Sequence, residues 1–200
     1  MRLFFAVTIP PEITGNIVTA SRKISAHLLR WVAPENQHFT LRFLGEIEEG
    51  RVAELISAGR EAALKHHPFL LNISGAGFFP DDKRPRVFWV GAGAGSEKLV
   101  ALAEDLSPNP EDRPFLPHLT VARITPHPYP PTRGGRVPFP KLWKGGGGGE
   151  KRFQELGSWK TRDFGSFPVN EFSLMESLLL PAGAVYRKVH SFLLEALDGR

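Results

Sequence analysis

The sequence predicts a mixed α/β fold with an internal duplication, and three observations support this prediction. Segments with strand periodicity alternate with segments of helical periodicity along most of the 200 residues. The tripeptide His-x-Thr occurs twice, at 38–40 and 118–120, each time inside a predicted strand. Each of these strands lies in its own run of strand and helix patterns. We therefore expect one two-lobed domain, spanning residues 1–200, in which two similar units each contribute a His-x-Thr strand.

The strand predictions rest on short apolar or alternating runs bounded by turn residues. The predicted strands are residues 2–9, 38–47, 69–79, 86–93, 117–124, the alternating stretch 162–180, and 184–197. A proline-rich and charged turn at 80–86 separates the third and fourth strands, and Pro-Ala-Gly at 181–183 precedes the last one. These boundaries predict hairpins at both places.

Three helices are predicted between the strands. The first follows Pro10 and places Ile13, Ile17, Ile24 and Leu28 at roughly helical spacing. The second, over 48–67, has acidic residues at its start and basic residues at its end, which complements the helix dipole. The third, over 96–106, begins with Ser96 as a predicted N-cap. The glycines just before it, at 91–95, predict a plain strand-to-helix connection.

Residues 126–149 lack any sustained apolar period and are rich in proline and glycine. They predict a long, flexible surface loop. A tolerated insertion is the simpler interpretation of such a segment. The alternative is an arm that brings basic side chains to a polyanion, namely Arg133, Arg136, Lys141 and Lys144.

Composition excludes several classes of site. The chain has no cysteine, so disulfides, thiol nucleophiles and thiolate metal sites are excluded. No apolar stretch approaches the length of a membrane span, and the apolar run at residues 3–9 is too short for a secretion signal. We therefore expect a cytoplasmic protein with no membrane association. Its net charge of +4 is compatible with a polyanionic partner but does not establish one.

The two His-x-Thr strands predict acid/base chemistry. Successive side chains of a strand alternate between faces, so His38 shares a face with Thr40, and His118 shares one with Thr120. Two imidazoles, each with an ordinary pKa near 6.5, suit a reaction that removes one proton and delivers another. The hydroxyls are placed to donate hydrogen bonds to phosphate oxygens. This pattern favours phosphodiester chemistry without a metal or cofactor.

A metal site is the less economical interpretation. Neither motif has Asp or Glu at close spacing, and a catalytic zinc site needs three protein ligands. The other histidines lie in unlike sequence contexts: His66, His67, His127 and His190. No cofactor or metal is therefore expected.

Beyond the motifs, nearly the whole chain resembles a known family. The stretches WVAPENQHFTLRFLG, PRVFWVG, PHLTVAR and FSLMESLLLPAGAVY follow in the order seen in LigT-like RNA 2',3'-cyclic phosphodiesterases of the two-histidine phosphoesterase superfamily. The resemblance implies a bilobal fold with two antiparallel-rich sheets around a central cleft. It also implies hydrolysis of a terminal RNA 2',3'-cyclic phosphate to a 2'-phosphomonoester. RNA with such an end, tRNA fragments among the candidates, is the implied partner, and no obligate protein partner is evident.

The resemblance assigns roles to five residues. His38 is the proton donor and His118 the proton acceptor. Thr40, Thr120 and Arg123 are the phosphate-binding residues. Simple alternation places Arg123 on the face opposite His118, so its role requires the strand to end, twist or bulge after Thr120.

Two further residues are candidates for substrate contact. Arg42 is in phase with His38 and Thr40 by simple alternation, so we expect it at the cleft mouth. The alternative is a solvated charge at the end of the strand. Tyr186 is expected either to reach the cleft or to pack. Phe39 and Phe43 alternate away from the histidines and are expected in the core. The aromatic residues at 78, 79 and 89 could stack on an RNA base, but we expect them to be buried as well.

Three other functions stay open at this point. One is a 2'-5' RNA ligase or phosphodiesterase, and another is a phosphodiesterase of small cyclic nucleotides. The third, from a different class, is a noncatalytic RNA-binding module that keeps the cleft and the basic surface.

Overall fold

The computed structural model describes residues 1–24, 29–81, 85–107, 114–124, 156–181 and 183–195. The loop predicted at 126–149 lies outside the described residues. The described strands are β1 (Arg2–Thr8), β2 (Leu29–Trp31), β3 (His38–Glu46), β4 (Phe69–Phe79), β5 (Val87–Ala92), β6 (His118–Ile124), β7 (Asp163–Val169), β8 (Glu171–Leu180) and β9 (Gly183–Leu193). The α-helices are α1 (Pro11–Ser21), α2 (Val52–Ala63) and α3 (Ser96–Asp105).

The described strands form a sheet in the order β7-β4-β5-β6-β3-β1-β8-β9, with β2 pairing to β6 off this path. All pairings between described strands are antiparallel. The mixed α/β fold with antiparallel pairing is therefore confirmed. The two expected sheets are continuous with each other, since the four strands on each side meet where β3 pairs with β6.

A single register pair, Phe39 with Leu119, joins β3 to β6. The sequence predicted two motif strands in two separate units, and the resemblance implied a central cleft between two sheets. In the structure the motif strands lie side by side at the centre of the sheet, because the antiparallel pair brings the first residues of both strands together. Phe39 and Leu119 are fully buried in the main core, so the polar residues that flank them point to the opposite face.

Apolar residues of β1 alternate between two clusters, as expected for a central strand with both faces covered. The larger cluster, the main core, includes Leu3, Phe5 and Val7. The smaller one, called the cleft-side cluster below, consists of Phe4, Ala6 and Met175, with Tyr186 packed against it. This second cluster gives the sheet an apolar floor on the side that carries the histidines.

The main core also contains the buried faces of the helices. Ile13 and Ile17 of α1 and Leu99 and Leu102 of α3 all lie within it. The Asn16 side chain ties α1 to the sheet by donating to the Phe164 carbonyl over 2.9 Å. Packing of the helices against the main core leaves the cleft side of the central strands open.

Several elements differ from the sequence prediction. The first helix ends at Ser21, whose hydroxyl donates to the Val18 carbonyl, so the apolar spacing through Ile24 overestimated its length. Ser96 is the first residue of α3 rather than its cap. The N-cap is Gly95, with φ +86, a left-handed conformation that glycine adopts readily. The alternating stretch 162–180 is divided at Asn170 into β7, which pairs with β4, and β8, which pairs with β1 and β9.

Candidate active site

An open cleft of about 600 Å³ lies over the centre of the sheet. Its walls come from strands on both sides of the β3–β6 junction and from the segment between β2 and β3. The lining residues with polar or aromatic side chains are Arg2, Phe4, Arg30, Trp31, Asn36, His38, Thr40, Phe43, His118, Thr120, Arg123, Ser177 and Tyr186. This volume is within the range of small-molecule sites in proteins, roughly 300–1,000 Å³.

The Phe39–Leu119 register sets the arrangement of the four motif side chains. Neighbouring residues of an antiparallel pair advance in opposite directions, so His38 comes opposite Thr120, and Thr40 comes opposite His118. All four residues line the cleft. Each imidazole therefore has a hydroxyl from the other motif as its cross-strand neighbour.

Backbone carbonyls hold both imidazoles in the same way. Nδ1 of His38 lies 2.8 Å from the Asn36 carbonyl oxygen, and Nδ1 of His118 lies 2.8 Å from that of Leu116. A carbonyl oxygen only accepts, so Nδ1 is the donor in each case and carries the proton in the neutral ring. Nε2 of each ring is consequently the nitrogen that can accept or donate a proton in the cleft.

Aromatic packing fixes the plane of each ring. The His38 ring contacts Phe4, 5.0 Å away between ring centroids, and Tyr186, 4.9 Å away and nearly perpendicular. His118 meets Phe79 edge-on at 4.8 Å. Locked ring orientations reduce the reorganisation needed for proton transfer.

The surroundings of His38 lower its pKa from the ordinary value of 6.5. Burial is the largest cause, because it disfavours the charged imidazolium. The bond to the Asn36 carbonyl acts in the opposite direction, and the charge of His118 adds a further lowering. In the free protein at neutral pH, His38 is therefore mainly neutral.

A β-bulge brings Arg123 into the cleft. Trp89 of β5 pairs with Thr120, and Phe88 pairs with Ala122, which leaves Val121 of β6 as the extra residue. Val121 and Ala122 are both fully buried, so the side-chain alternation is reset at this point. Arg123 consequently lines the cleft with His118 and Thr120. A bulge after Thr120 was one of the three strand irregularities that the sequence analysis required for this placement.

A second bulge lies at the equivalent point of β3 and overturns the prediction for Arg42. Ala6 of β1 pairs with Thr40 and Phe5 pairs with Arg42, so Leu41 is the extra residue. Arg42 is therefore turned away from the cleft, and its guanidinium donates to the Ser107 hydroxyl after α3. Arg42 is therefore not at the expected place at the cleft mouth, because simple alternation does not survive the bulge.

The same bulge turns Phe43 toward the cleft, contrary to its predicted place in the core. Phe43 is 51% exposed and stacks on Phe4 at 6.1 Å between centroids. The Arg2 guanidinium lies over the Phe43 ring, 5.1 Å from its centre. With Tyr186 edge-on to Phe4 at 5.3 Å, these residues form an aromatic wall beside His38.

Other predicted aromatic candidates do not line the cleft. Phe79 packs on Trp89 at 5.4 Å as well as on His118, and Phe78 packs on Phe88 at 5.1 Å. Their place beneath the site agrees with the packing interpretation. Tyr186 combines both expectations, since it packs on His38 and also borders the cleft.

Sequence reasoning missed the two arginines that join Arg123 at the cleft. Arg2 opens β1, and Arg30 lies in β2, a strand of three residues that was not predicted. The only sequence signal for Arg2 is its place at the start of a predicted strand, which is common to many surface arginines, and Arg30 has none. Long-range pairing, Arg30 with Arg123, is what brings Arg30 to the site.

Within the described ranges, no three His, Asp or Glu side chains come together in a group that could hold a metal ion. In the same part of the chain, no helix is both long and apolar enough to cross a membrane.

Comparisons with known proteins bear on the family. The model of the family described as LigT like Phosphoesterase matches residues 7–89, which include the first motif. An RNA 2',3'-cyclic phosphodiesterase of Aquifex aeolicus is 33% identical over 175 residues, covering 82% of this chain and 81% of the relative. The chain belongs to the LigT-like phosphoesterase family. This membership identifies it as an enzyme that acts on phosphoesters.

Solved structures agree with this LigT-like assignment. A crystal structure of a Thermus thermophilus protein has a TM-score of 0.73 and 31% identity, covering 98% of this chain and 99% of that one. The structure of Escherichia coli LigT complexed with 3'-AMP has a TM-score of 0.70 and 25% identity, with coverage of 96% and 97%. The likeness to these solved structures therefore covers nearly the whole length of the chain.

Proposed function

We propose that this LigT-like phosphoesterase hydrolyses the terminal 2',3'-cyclic phosphate of RNA to a 2'-phosphomonoester, with two histidines as general acid and base and without a metal ion. The observation that supports it most is the arrangement of the imidazoles. Both present Nε2 to one cleft, and both have Nδ1 engaged by a backbone carbonyl. Two such nitrogens beside one phosphate supply both proton transfers of the reaction.

The proposed reaction has one nucleophile and one leaving group. His118 Nε2 accepts a proton from water as the water oxygen attacks phosphorus. The bond between phosphorus and O3' breaks, and His38 Nε2 donates its proton to O3'. The products are a 2'-phosphate and a free 3'-hydroxyl. Because the site is nearly symmetric, the choice of His38 as donor and His118 as acceptor rests on the family resemblance.

The donor role requires His38 to gain a proton before the chemical step. Burial lowers its pKa in the free protein, and an anionic phosphate placed beside the ring favours the imidazolium. Substrate binding is therefore coupled to proton uptake by His38. Once charged, an imidazolium with a lowered intrinsic pKa is a stronger acid toward O3'.

Three side chains are assigned to the phosphate. Thr40 and Thr120 donate hydrogen bonds to its nonbridging oxygens, each from a position opposite one histidine. Arg123 lies on the cleft side because of the bulge at Val121, and its planar guanidinium can donate two parallel bonds to phosphate oxygens. Together they neutralise charge that grows on the phosphate during attack.

The choice of RNA substrate is supported by the relatives. The Aquifex aeolicus relative is named RNA 2',3'-cyclic phosphodiesterase, and the Escherichia coli neighbour binds 3'-AMP. In this chain the aromatic wall of Phe4, Phe43 and Tyr186 adjoins the histidines and is suited to a nucleoside. RNA fragments with a cyclic phosphate end, including tRNA fragments, are therefore the proposed substrates.

The test uses purified protein in EDTA with a short RNA that ends in a 2',3'-cyclic phosphate. Chromatography against 2'-phosphate and 3'-phosphate standards identifies the product. We expect the 2'-phosphate, with a rate unchanged by EDTA. Accumulation of the 3'-phosphate would show that O2' leaves and would contradict the assigned geometry of attack. Loss of activity that a divalent ion restores would contradict the metal-free mechanism, and binding without turnover would favour an RNA-binding module.

A further inference from the structure

Two arginines lie directly opposite each other at one end of the cleft. Arg30 of β2 pairs with Arg123 of β6, and both are exposed and line the cleft. Like charges at directly opposed positions of a sheet destabilise it. Within the described part of the chain, neither guanidinium forms an ion pair or a side-chain hydrogen bond, and no carboxylate lines the cleft.

The position of this pair relative to the histidines follows from the strand register. β3 and β2 meet the same edge of β6, β3 at Leu119 and β2 at residues 122–124. Thr120, opposite His38, and Arg123, opposite Arg30, are three residues apart, which corresponds to roughly 10 Å of strand. The backbone of both arginines therefore lies along the cleft from the reacting centre. With the Arg123 guanidinium assigned to the reacting phosphate, Arg30 is left for an anion farther along the cleft.

An anion between the two guanidinium groups would remove their mutual repulsion. The proposed substrate has one reacting phosphate, for which the histidines, two threonines and Arg123 already supply donors. The next anionic group of an RNA chain is the phosphodiester on the 5' side of the terminal nucleotide. A guanidinium is well matched to such a group, since it binds two phosphate oxygens at once.

We propose that Arg30, beside Arg123, binds the phosphodiester that precedes the terminal nucleotide, so that the enzyme favours oligonucleotides over mononucleoside cyclic phosphates. This proposal rests on the proposed function. It assigns a substrate-length preference to a residue that takes no part in proton transfer. It also predicts a substrate preference that differs from that of phosphodiesterases of small cyclic nucleotides.

The test compares three substrates: a mononucleoside 2',3'-cyclic phosphate, a dinucleotide with the same cyclic end, and that dinucleotide with an uncharged methylphosphonate linkage. For Arg30→Gln, we expect the ratio of kcat/KM for the charged dinucleotide to that for the mononucleoside to fall by roughly 10-fold or more, as for loss of a hydrogen bond to a charged group. The uncharged dinucleotide should already show the low ratio with wild-type enzyme.

Arg60→Gln is the matched control, because Arg60 is an exposed arginine on α2 outside the cleft. It should preserve the ratio. An unchanged ratio in Arg30→Gln would overturn the proposal, as would an equal preference of wild-type enzyme for charged and uncharged dinucleotides. The melting temperature gives a second readout: removal of the like charge should raise it, whereas loss of a structural role would lower it.

Failure of the proposed function can be distinguished from failure of this inference. If wild-type enzyme hydrolyses none of the three substrates, the proposed function fails. Binding of the dinucleotide and the mononucleotide that carry a 2'-phosphate then decides the role of Arg30. If Arg30→Gln weakens binding of the dinucleotide more than binding of the mononucleotide, the subsite is supported. If it weakens both equally, or neither, the subsite is overturned.

Discussion

Phe39 of β3 pairs with Leu119 of β6, and this one antiparallel register organises the cleft. Both residues are buried in the main core. Their neighbours therefore face the cleft, with His38 opposite Thr120 and Thr40 opposite His118. Two separate segments of the chain thus form one site with approximate two-fold symmetry. The departures from that symmetry, Phe43 in one strand and Arg123 in the other, distinguish the two ends of the cleft.

Arg123 and Arg42 form a matched pair for testing the effect of the bulges. Arg123→Gln should lower kcat/KM by roughly 10- to 100-fold, the range expected for one lost hydrogen bond to a charged group. Arg42→Gln should leave kcat/KM within about twofold, because Arg42 bonds to Ser107 away from the cleft. Steady-state kinetics on a cyclic phosphate substrate measures both. A larger loss in Arg42→Gln than in Arg123→Gln would contradict the bulged register.

The aromatic wall predicts an effect on substrate affinity. Phe43→Ala should raise KM by roughly 10-fold, since stacking of a base on an aromatic side chain contributes about 1–3 kcal/mol. Phe43→Tyr retains the ring and should restore most of the affinity. Leu70→Ala serves as the control, because Leu70 is an exposed apolar residue on β4 outside the cleft. An unchanged KM in Phe43→Ala would show that Phe43 does not contact the substrate.

Substitution by valine distinguishes a catalytic role of the threonine hydroxyls from a structural role of the β-branched side chain. Thr40→Val and Thr120→Val keep the β-branched shape and remove only the hydroxyl. Each should lower kcat by roughly 10-fold if the hydroxyl donates to phosphate, and the Ser variants should recover part of the loss. Thr161→Val, at an exposed position outside the cleft, is the control. Full activity in both Val variants would reduce the threonines to structural residues.

The pKa of His38 predicts coupling between anion binding and protonation. Burial lowers this pKa below 6.5 in the free protein, so an NMR titration of the His38 ring should have its midpoint below that value. Sulfate, which stays a dianion over this range, should raise the midpoint because it favours the imidazolium. Sulfate should accordingly bind more tightly as the pH falls through this range. His118→Gln should also raise the midpoint by removing a repulsive charge.

A free-protein midpoint at or above 6.5 would contradict burial as the dominant influence on the pKa of His38. A midpoint that does not move with saturating sulfate would contradict its placement beside the phosphate.

Strand periodicity was sufficient to predict that the two histidines and two threonines of the motifs share their faces. The motifs are short, and alternation over three residues places each histidine on the face of its threonine. Beyond Thr40 and Thr120 the same reasoning failed for Arg42 and Phe43, because a bulge leaves no distinctive mark in an apolar strand. Arg123 lines the cleft because of a bulge that alternation alone does not predict, and its phosphate-binding role, implied by the resemblance, stays a prediction.

The remaining differences come from pairing between distant segments. Arg30 reaches the cleft only because β2 pairs with β6, and a three-residue strand has too little periodicity to be recognised. The continuous sheet likewise depends on one register pair between strands eighty residues apart. Local patterns predicted the elements, while tertiary contacts determined which of their exposed side chains became part of the site.

The most direct test of the two-histidine account is single-turnover hydrolysis of a cyclic phosphate by His38→Ala and His118→Ala, with His67→Ala as the control. His67 is exposed and lies outside the cleft. If both imidazoles transfer protons, each cleft variant should lose roughly 10²-fold or more of the chemical rate, while the control keeps it. Near-wild-type turnover in either His38→Ala or His118→Ala, with the protein folded, would contradict the account.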